Sequence, residues 1–177
     1  MDWLEIKEFI KDTFKYVLLV VFILFLIMYV VTLTQVIGPS MSPNFNNNDV
    51  VMLDKVTYRF KSIKRGDIIS FSYADTKYLI KRVIGLPGEK IEIKDNTIYI
   101  NDMILNEPYL SNAENYDFSL TDLGYEIIPD DYYFVLGDNR ENSLDSRDPK
   151  VGLIHKKNVI GKVRARIWPI NKFRIVR

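Results

Sequence analysis

Apolar and polar positions change their rhythm twice along this chain. From Tyr16 to Leu33, "YVLLVVFILFLIMYVVTL", there is no charge, and Thr32 is the one clearly polar side chain. At 1.5 Å per residue, a helix over this run reaches roughly 27 Å, close to the ~30 Å hydrocarbon thickness of a bilayer. That length argues against a buried core helix. The long stretch, with no small-x-small site after it, argues against a removed leader, so residues 16–34 are expected to form a retained transmembrane anchor. Beyond it the period falls to two. "VVMLD" (50–54), "DIISFSY" (67–73), "YLIKRVI" (78–84) and "KVRARIW" (162–168) are rich in Val, Ile, Phe and Tyr, separated by Gly, Asn and Asp, and predict strands, and the apolar run "YYFVL" (132–136) predicts another. In "KIEIKDNTIYIND" two alternating runs flank Asp95 and Asn96, which predicts a hairpin. Between Asn106 and Asp131 the periodicity is lost, so a small inserted subdomain around residues 92–131 is expected in a mainly β fold.

Charge orients this layout. Lys7, Lys11 and Lys15 precede the apolar run, and no Lys or Arg follows it until Lys55. Lysines and arginines near a span set its topology while acids contribute little, so residues 1–15 are expected in the cytoplasm and residues 35–177 outside, on a single-pass protein of the cell membrane. The last 28 residues carry nine Lys or Arg and no acid. Outside the cell such a stretch meets lipid headgroups or wall polymers rather than nucleic acid, although a solvated strand face accounts for Lys162, Arg164 and Arg166 more simply.

Composition removes several chemistries. With 177 residues and 47% hydrophobic content, the chain fits one globular unit plus a small addition. Without cysteine there is no thiol nucleophile, no disulfide and no thiolate metal site. His155 is the only histidine and lies beside Lys156 and Lys157, with no carboxylate nearby to orient it. No metal or other cofactor is expected.

What remains is serine and lysine. Ser40 stands in "IGPSMSPNF" between Pro39 and Pro43, in a restricted backbone just past the apolar run. A serine hydroxyl needs a base, and a lysine serves only when burial lowers its pKa. Lys81 lies in "YLIKRVIG", an apolar strand pattern, which suits it to that role, although a loop serine and a strand lysine are ordinary taken alone. "GDNRENSLDSRD" (137–148) follows the "YYFVL" strand. It reads as a solvated loop, or as a loop in which Ser143 accepts a hydrogen bond from the lysine while an Asp145–Arg147 ion pair holds its shape. Its acid spacing does not match an EF-hand calcium loop.

"PSMSP", "YLIKRVIGLPGE" and "LGDNRENSLDSR", in this order and spacing, resemble the motif boxes of type I signal peptidases, and "RGDIISFSY" (65–73) resembles the remaining structural box. These are membrane-anchored serine-lysine proteases that remove signal peptides from exported preproteins. The resemblance covers nearly the whole region beyond the anchor and implies a signal-peptidase/LexA-like β catalytic core. It makes Ser40 the nucleophile, Lys81 the general base, Ser143 the residue that orients the lysine, and Asp145 with Arg147 the support of the site. The oxyanion would be held by the Ser40 N–H. Some members add a side-chain hydroxyl two residues earlier; Gly38 takes that second oxyanion position here, as in the Gram-positive branch, with a backbone group or water in place of the hydroxyl. Val36, Met41 and Ile80 correspond to residues lining pockets for small side chains of the substrate, or are plain core. Signal peptides and membrane lipids are the implied partners, and a monomer is expected. A self-cleaving repressor of the LexA kind and a non-catalytic, membrane-tethered β adaptor are the alternative readings, and the first would carry a DNA-binding helix-turn-helix in place of an anchor.

Overall fold

In a computed structural model, residues 2–74, 77–110 and 116–176 are described. The chain begins with one long helix, α1 (Trp3–Val30), nucleated by a capping box in which Asp2 and Glu5 satisfy each other's backbone N–H groups. Its apolar side chains, Phe22 and Leu24 among them, point outward with no protein against them, and it is long and apolar enough to cross a membrane. The helix stops at Val30 and the chain enters strand β1 (Val31–Gln35) with no linker. The expected anchor over 16–34 therefore ends four residues early. Thr32 and Thr34, β-branched and polar, are better served by pairing than by hydrocarbon, and β1 lies antiparallel to β2 (Val50–Asp54), with Val31 opposite Asp54.

A short helix, α2 (Thr57–Phe60), leads to β3 (Ile68–Tyr73) and β4 (Lys77–Gly85). The second sheet follows, made of β5 (Ile91–Lys94), β6 (Thr97–Ile100), β7 (Met103–Ile104) and β8 (Phe118–Ser119), and the chain then returns through β9 (Tyr132–Leu136), β10 (Ile154–His155), β11 (Val159–Trp168) and β12 (Arg174–Ile175). The large sheet runs β1-β2-β11-β3-β4-β9-β10, with β12 added to β11, and the small one runs β7-β6-β5-β8. Ile69, Phe71, Val83 and Val135 form a core on the large sheet, Met41, Phe45, Val51 and Val163 a second, and Ile84, Phe134 and Leu136 join the isoleucines of β5 and β6 in a third between the sheets. With both faces of β3 covered, its run of buried residues replaces strict alternation.

The hairpin expected at Asp95–Asn96 is present as the β5–β6 turn, and both residues adopt positive φ, +47° and +64°. Asp and Asn tolerate that region, so the turn closes without glycine. The first strand of the small sheet begins at Ile91. From 106 onward the inserted region is less peripheral than its polarity suggests, because Phe118, Leu120 and Ile128 are buried in the third core, while residues 111–115 lie outside the described residues. Nor are the cations of β11 a solvated face. Lys162 pairs with Asp67, Arg164 with Asp54 at 3.0 Å and Arg166 with Asp49 at 3.1 Å, each a cross-strand or loop contact to a residue at least 95 positions away. Arg177, the end of the basic stretch, lies outside the described residues.

Candidate active site

Ser40 sits on the loop between β1 and β2, and backbone contacts hold that loop tightly. Val36 N–H donates to the Asp49 carbonyl at 2.8 Å, Asn48 N–H returns to the Val36 carbonyl at 2.9 Å, and Gly38 N–H donates to Asn47 Oδ1 at 2.8 Å. Gly38 has φ of +87°, a conformation that strains any residue with a Cβ. A second loop, following β9, clamps the first from outside: Asn139 N–H donates to the Ser40 carbonyl at 3.0 Å, and Asn139 Nδ2 donates to the Pro39 carbonyl at 3.3 Å. Among the described residues the Ser40 N–H has no intramolecular acceptor.

Lys81 lies in the middle of β4, paired with Ile69 of β3. It is 2% exposed, and its Nζ is 2.6 Å from Ser40 Oγ. Burial drives the pKa of this amine down from 10.5 to about 8, while Asp145 and Asp138 pull it upward and Arg147 pushes it down. At pH 7 about a tenth of this amine is therefore neutral, and it lies beside the Ser40 hydroxyl.

The loop after β9 is itself built around a buried carboxylate. Asp145 accepts from Gly137 N–H at 3.0 Å and from Arg147 Nε at 2.9 Å and Nη2 at 3.0 Å, and Arg147 Nη2 also donates to the Arg140 carbonyl at 2.7 Å. The expected Asp145–Arg147 ion pair is thus formed. Ser143 behaves differently from expectation. Its Oγ is buried and makes no hydrogen bond among the described residues, so it does not hold the Lys81 amine. The hydroxyl packs on Gly137, where an added Cβ would come within 2.2 Å of it.

Val36, Met41 and Ile80 border, with Ser40 and Lys81, a cavity of about 440 Å³ between β1 and β4. Val36 and Met41 also belong to the second core, so the pocket wall and the core are one surface. His155 lies elsewhere on the sheet: its ring packs edge-on against Tyr132 and its Nδ1 accepts from the Lys157 N–H, with no serine partner among the described residues.

Several contributors carried no role in the sequence reading. Arg82 binds Asp138 through two hydrogen bonds of 2.8 and 2.7 Å, lies 3.9 Å from the Tyr109 ring centre, and Asn44 Nδ2 donates to the same carboxylate at 2.9 Å. This buried group ties β4, the Ser40 loop and the inserted region together. Its one sequence signal was an arginine next to Lys81 in an otherwise apolar strand. Nothing in the pattern points to Asn139, whose function depends on the loops meeting in space.

A family described as "Signal peptidase, peptidase S26" matches residues 6–168. The chain is 43% identical over 138 residues to signal peptidase I V of Bacillus subtilis (strain 168), covering 73% of this chain and 81% of that one. It is 35% identical over 175 residues to signal peptidase I P of Bacillus subtilis subsp. natto, covering 95% and 94%. The crystal structure of a signal peptidase I from Enterococcus faecalis V583 superposes with a TM-score of 0.51 at 41% identity, covering 58% of this chain and 97% of that one.

Proposed function

Because the chain belongs to the signal peptidase family, peptidase S26, we propose that Ser40 is the nucleophile and Lys81 the general base of its reaction. Members of the family are serine endopeptidases that remove signal peptides from preproteins, and this chain is a type I signal peptidase. The observation that carries the assignment is the 2.6 Å separation of Lys81 Nζ and Ser40 Oγ, with the amine buried.

In this reading Lys81 takes the Ser40 proton as Oγ attacks the scissile carbonyl, and the unengaged Ser40 N–H holds the oxyanion. The C–N bond then breaks, and the lysine returns its proton to the leaving amine. It next deprotonates a water that opens the acyl ester and frees the serine. Gly38 brings no hydroxyl, and its own N–H is engaged by Asn47, so oxyanion binding rests on Ser40. Ser143 would take over the amine once Oγ is acylated, for its hydroxyl is buried and free of other partners. Asp145 and Arg147 keep the loop closed around it. The substrate lies extended along the β1–β4 cavity, and Val36, Met41 and Ile80 limit its pockets to small apolar side chains.

α1 would cross the cell membrane with residues 1–15 in the cytoplasm, in keeping with Lys7, Lys11 and Lys15, and the sheets would face outward among the lipid headgroups as a monomer. Ser40→Ala and Lys81→Ala should each abolish cleavage of a preprotein while circular dichroism stays unchanged. Normal processing by either variant would refute the dyad.

A further inference from the structure

A second cavity, of about 540 Å³, opens beside the end of α1. Lys55, Arg59, His155, Lys156 and Lys157 line it, and Asp131 is its one carboxylate. This excess differs from neighbouring β11, where Lys162, Arg164 and Arg166 each have an acidic partner. Here Lys156 and Asp131 meet only at 4.0 Å, both substantially exposed, and Lys55, Arg59 and Lys157 have no ion-pair partner among the described residues.

The membrane helix fixes the cavity's height. Lys55 Nζ donates to the Met28 carbonyl at 3.4 Å, Lys55 N–H donates to the Val30 carbonyl at 2.9 Å, and Arg59 donates to the Tyr29 hydroxyl with its guanidinium 5.2 Å from that ring's centre. Met28, Tyr29 and Val30 are the last turn of α1, where the chain leaves the hydrocarbon, and an interfacial tyrosine belongs at headgroup depth. Phe60, next to Arg59, is 83% exposed and suits acyl or glycerol carbons rather than water.

We propose that this cavity binds the headgroup phosphate of an anionic phospholipid of the outer leaflet, with Arg59 and Lys157 as its principal cations and Phe60 against the lipid's apolar part. The inference rests on α1 spanning the membrane. A bound phosphodiester would supply the negative charge that the protein withholds here, and it would fix the catalytic body against the bilayer surface.

The test uses the purified full-length chain in neutral detergent, with bound lipid counted by native mass spectrometry during titration with phosphatidylglycerol or phosphatidylcholine. The chain should retain phosphatidylglycerol preferentially, and Arg59→Gln combined with Lys157→Gln should weaken retention at least about tenfold. Lys90→Gln with Lys94→Gln, an equal charge loss on the small sheet, should leave retention unchanged. Equal retention of phosphatidylcholine, equal weakening by the control pair, or binding of soluble glycerol phosphate as tight as that of the lipid would each overturn the site. Preprotein cleavage in detergent, followed on the same samples, should be unaltered by the Arg59 and Lys157 changes, so loss of lipid retention and failure of the peptidase reading give separate results.

Discussion

Lys81 sits 2% exposed in an apolar strand, and the amine can act as a base only because burial destabilises its charged form. The same burial is a stability statement. Between about 8 and 10.5 the folded lysine binds fewer protons than the unfolded one, so stability rises with pH across that window. Below about 8 both states are protonated and the penalty is complete, and above 10.5 it vanishes. A shift from 10.5 to about 8 corresponds to about 3 kcal/mol. Lys81→Met should therefore be inactive yet more stable than the parent at pH 7, by up to about 3 kcal/mol in denaturant unfolding, with the advantage fading towards pH 10.5. Activity of the parent should follow the neutral amine, climbing as pH passes through about 8. A pH–rate profile level from pH 5 to 9 would contradict a lysine base.

Strands and loops bring that residue to its partner, and they were unevenly legible in the sequence. β2 and β9 match the expected bounds to the residue, because β2 alternates in burial and β9 is a short continuous apolar run, each ended by a polar or turn residue that no other element overrides. The apolar run continues through Val31 and Leu33 beyond the end of α1, and hydrophobicity alone does not distinguish a helix in lipid from an edge strand paired with β2. Ser40, Lys81, Asp145 and Arg147 were visible through motif spacing. The clamp of Asn139 on Ser40 and the buried Arg82–Asp138 pair were not, since they join segments 99 and 56 positions apart. Gly137 belongs with these hidden requirements, at the junction of β9 and its loop. A Cβ there would lie 2.5 Å from the Ser40 carbonyl oxygen, a backbone atom that cannot rotate away, so the Ser40 loop would have to move. Gly137→Ala should cost about 1–3 kcal/mol of stability and reduce kcat/KM about 100-fold, because a displacement near 1 Å is enough to misalign an attack. Unfolding curves and cleavage kinetics on one preparation would check both figures.

For the whole molecule, the decisive feature is that nothing flexible separates the proposed anchor from the sheet. Val30 ends α1, Val31 begins β1, and the Lys55 N–H bond to the Val30 carbonyl at 2.9 Å fastens the helix end to the chain beyond β2. β1 advances about 3.3 Å per residue, so its five residues extend roughly 16 Å before the chain turns towards Ser40. With α1 as the proposed anchor, Ser40 as the proposed nucleophile would stand at a set distance from the membrane, which is useful only if the scissile bond is itself presented at that height by a substrate whose own apolar segment lies in the bilayer. A four-residue Gly-Ser insertion between Val30 and Val31 breaks this connection without touching Ser40, Lys81 or their loops. In reconstituted vesicles it should lower kcat/KM for a membrane-inserted preprotein by about tenfold or more, through lost orientation, while leaving cleavage of a short soluble peptide unchanged. Equal loss on both substrates would locate the damage in the catalytic body, and no loss on either would show that the enzyme works without a fixed height.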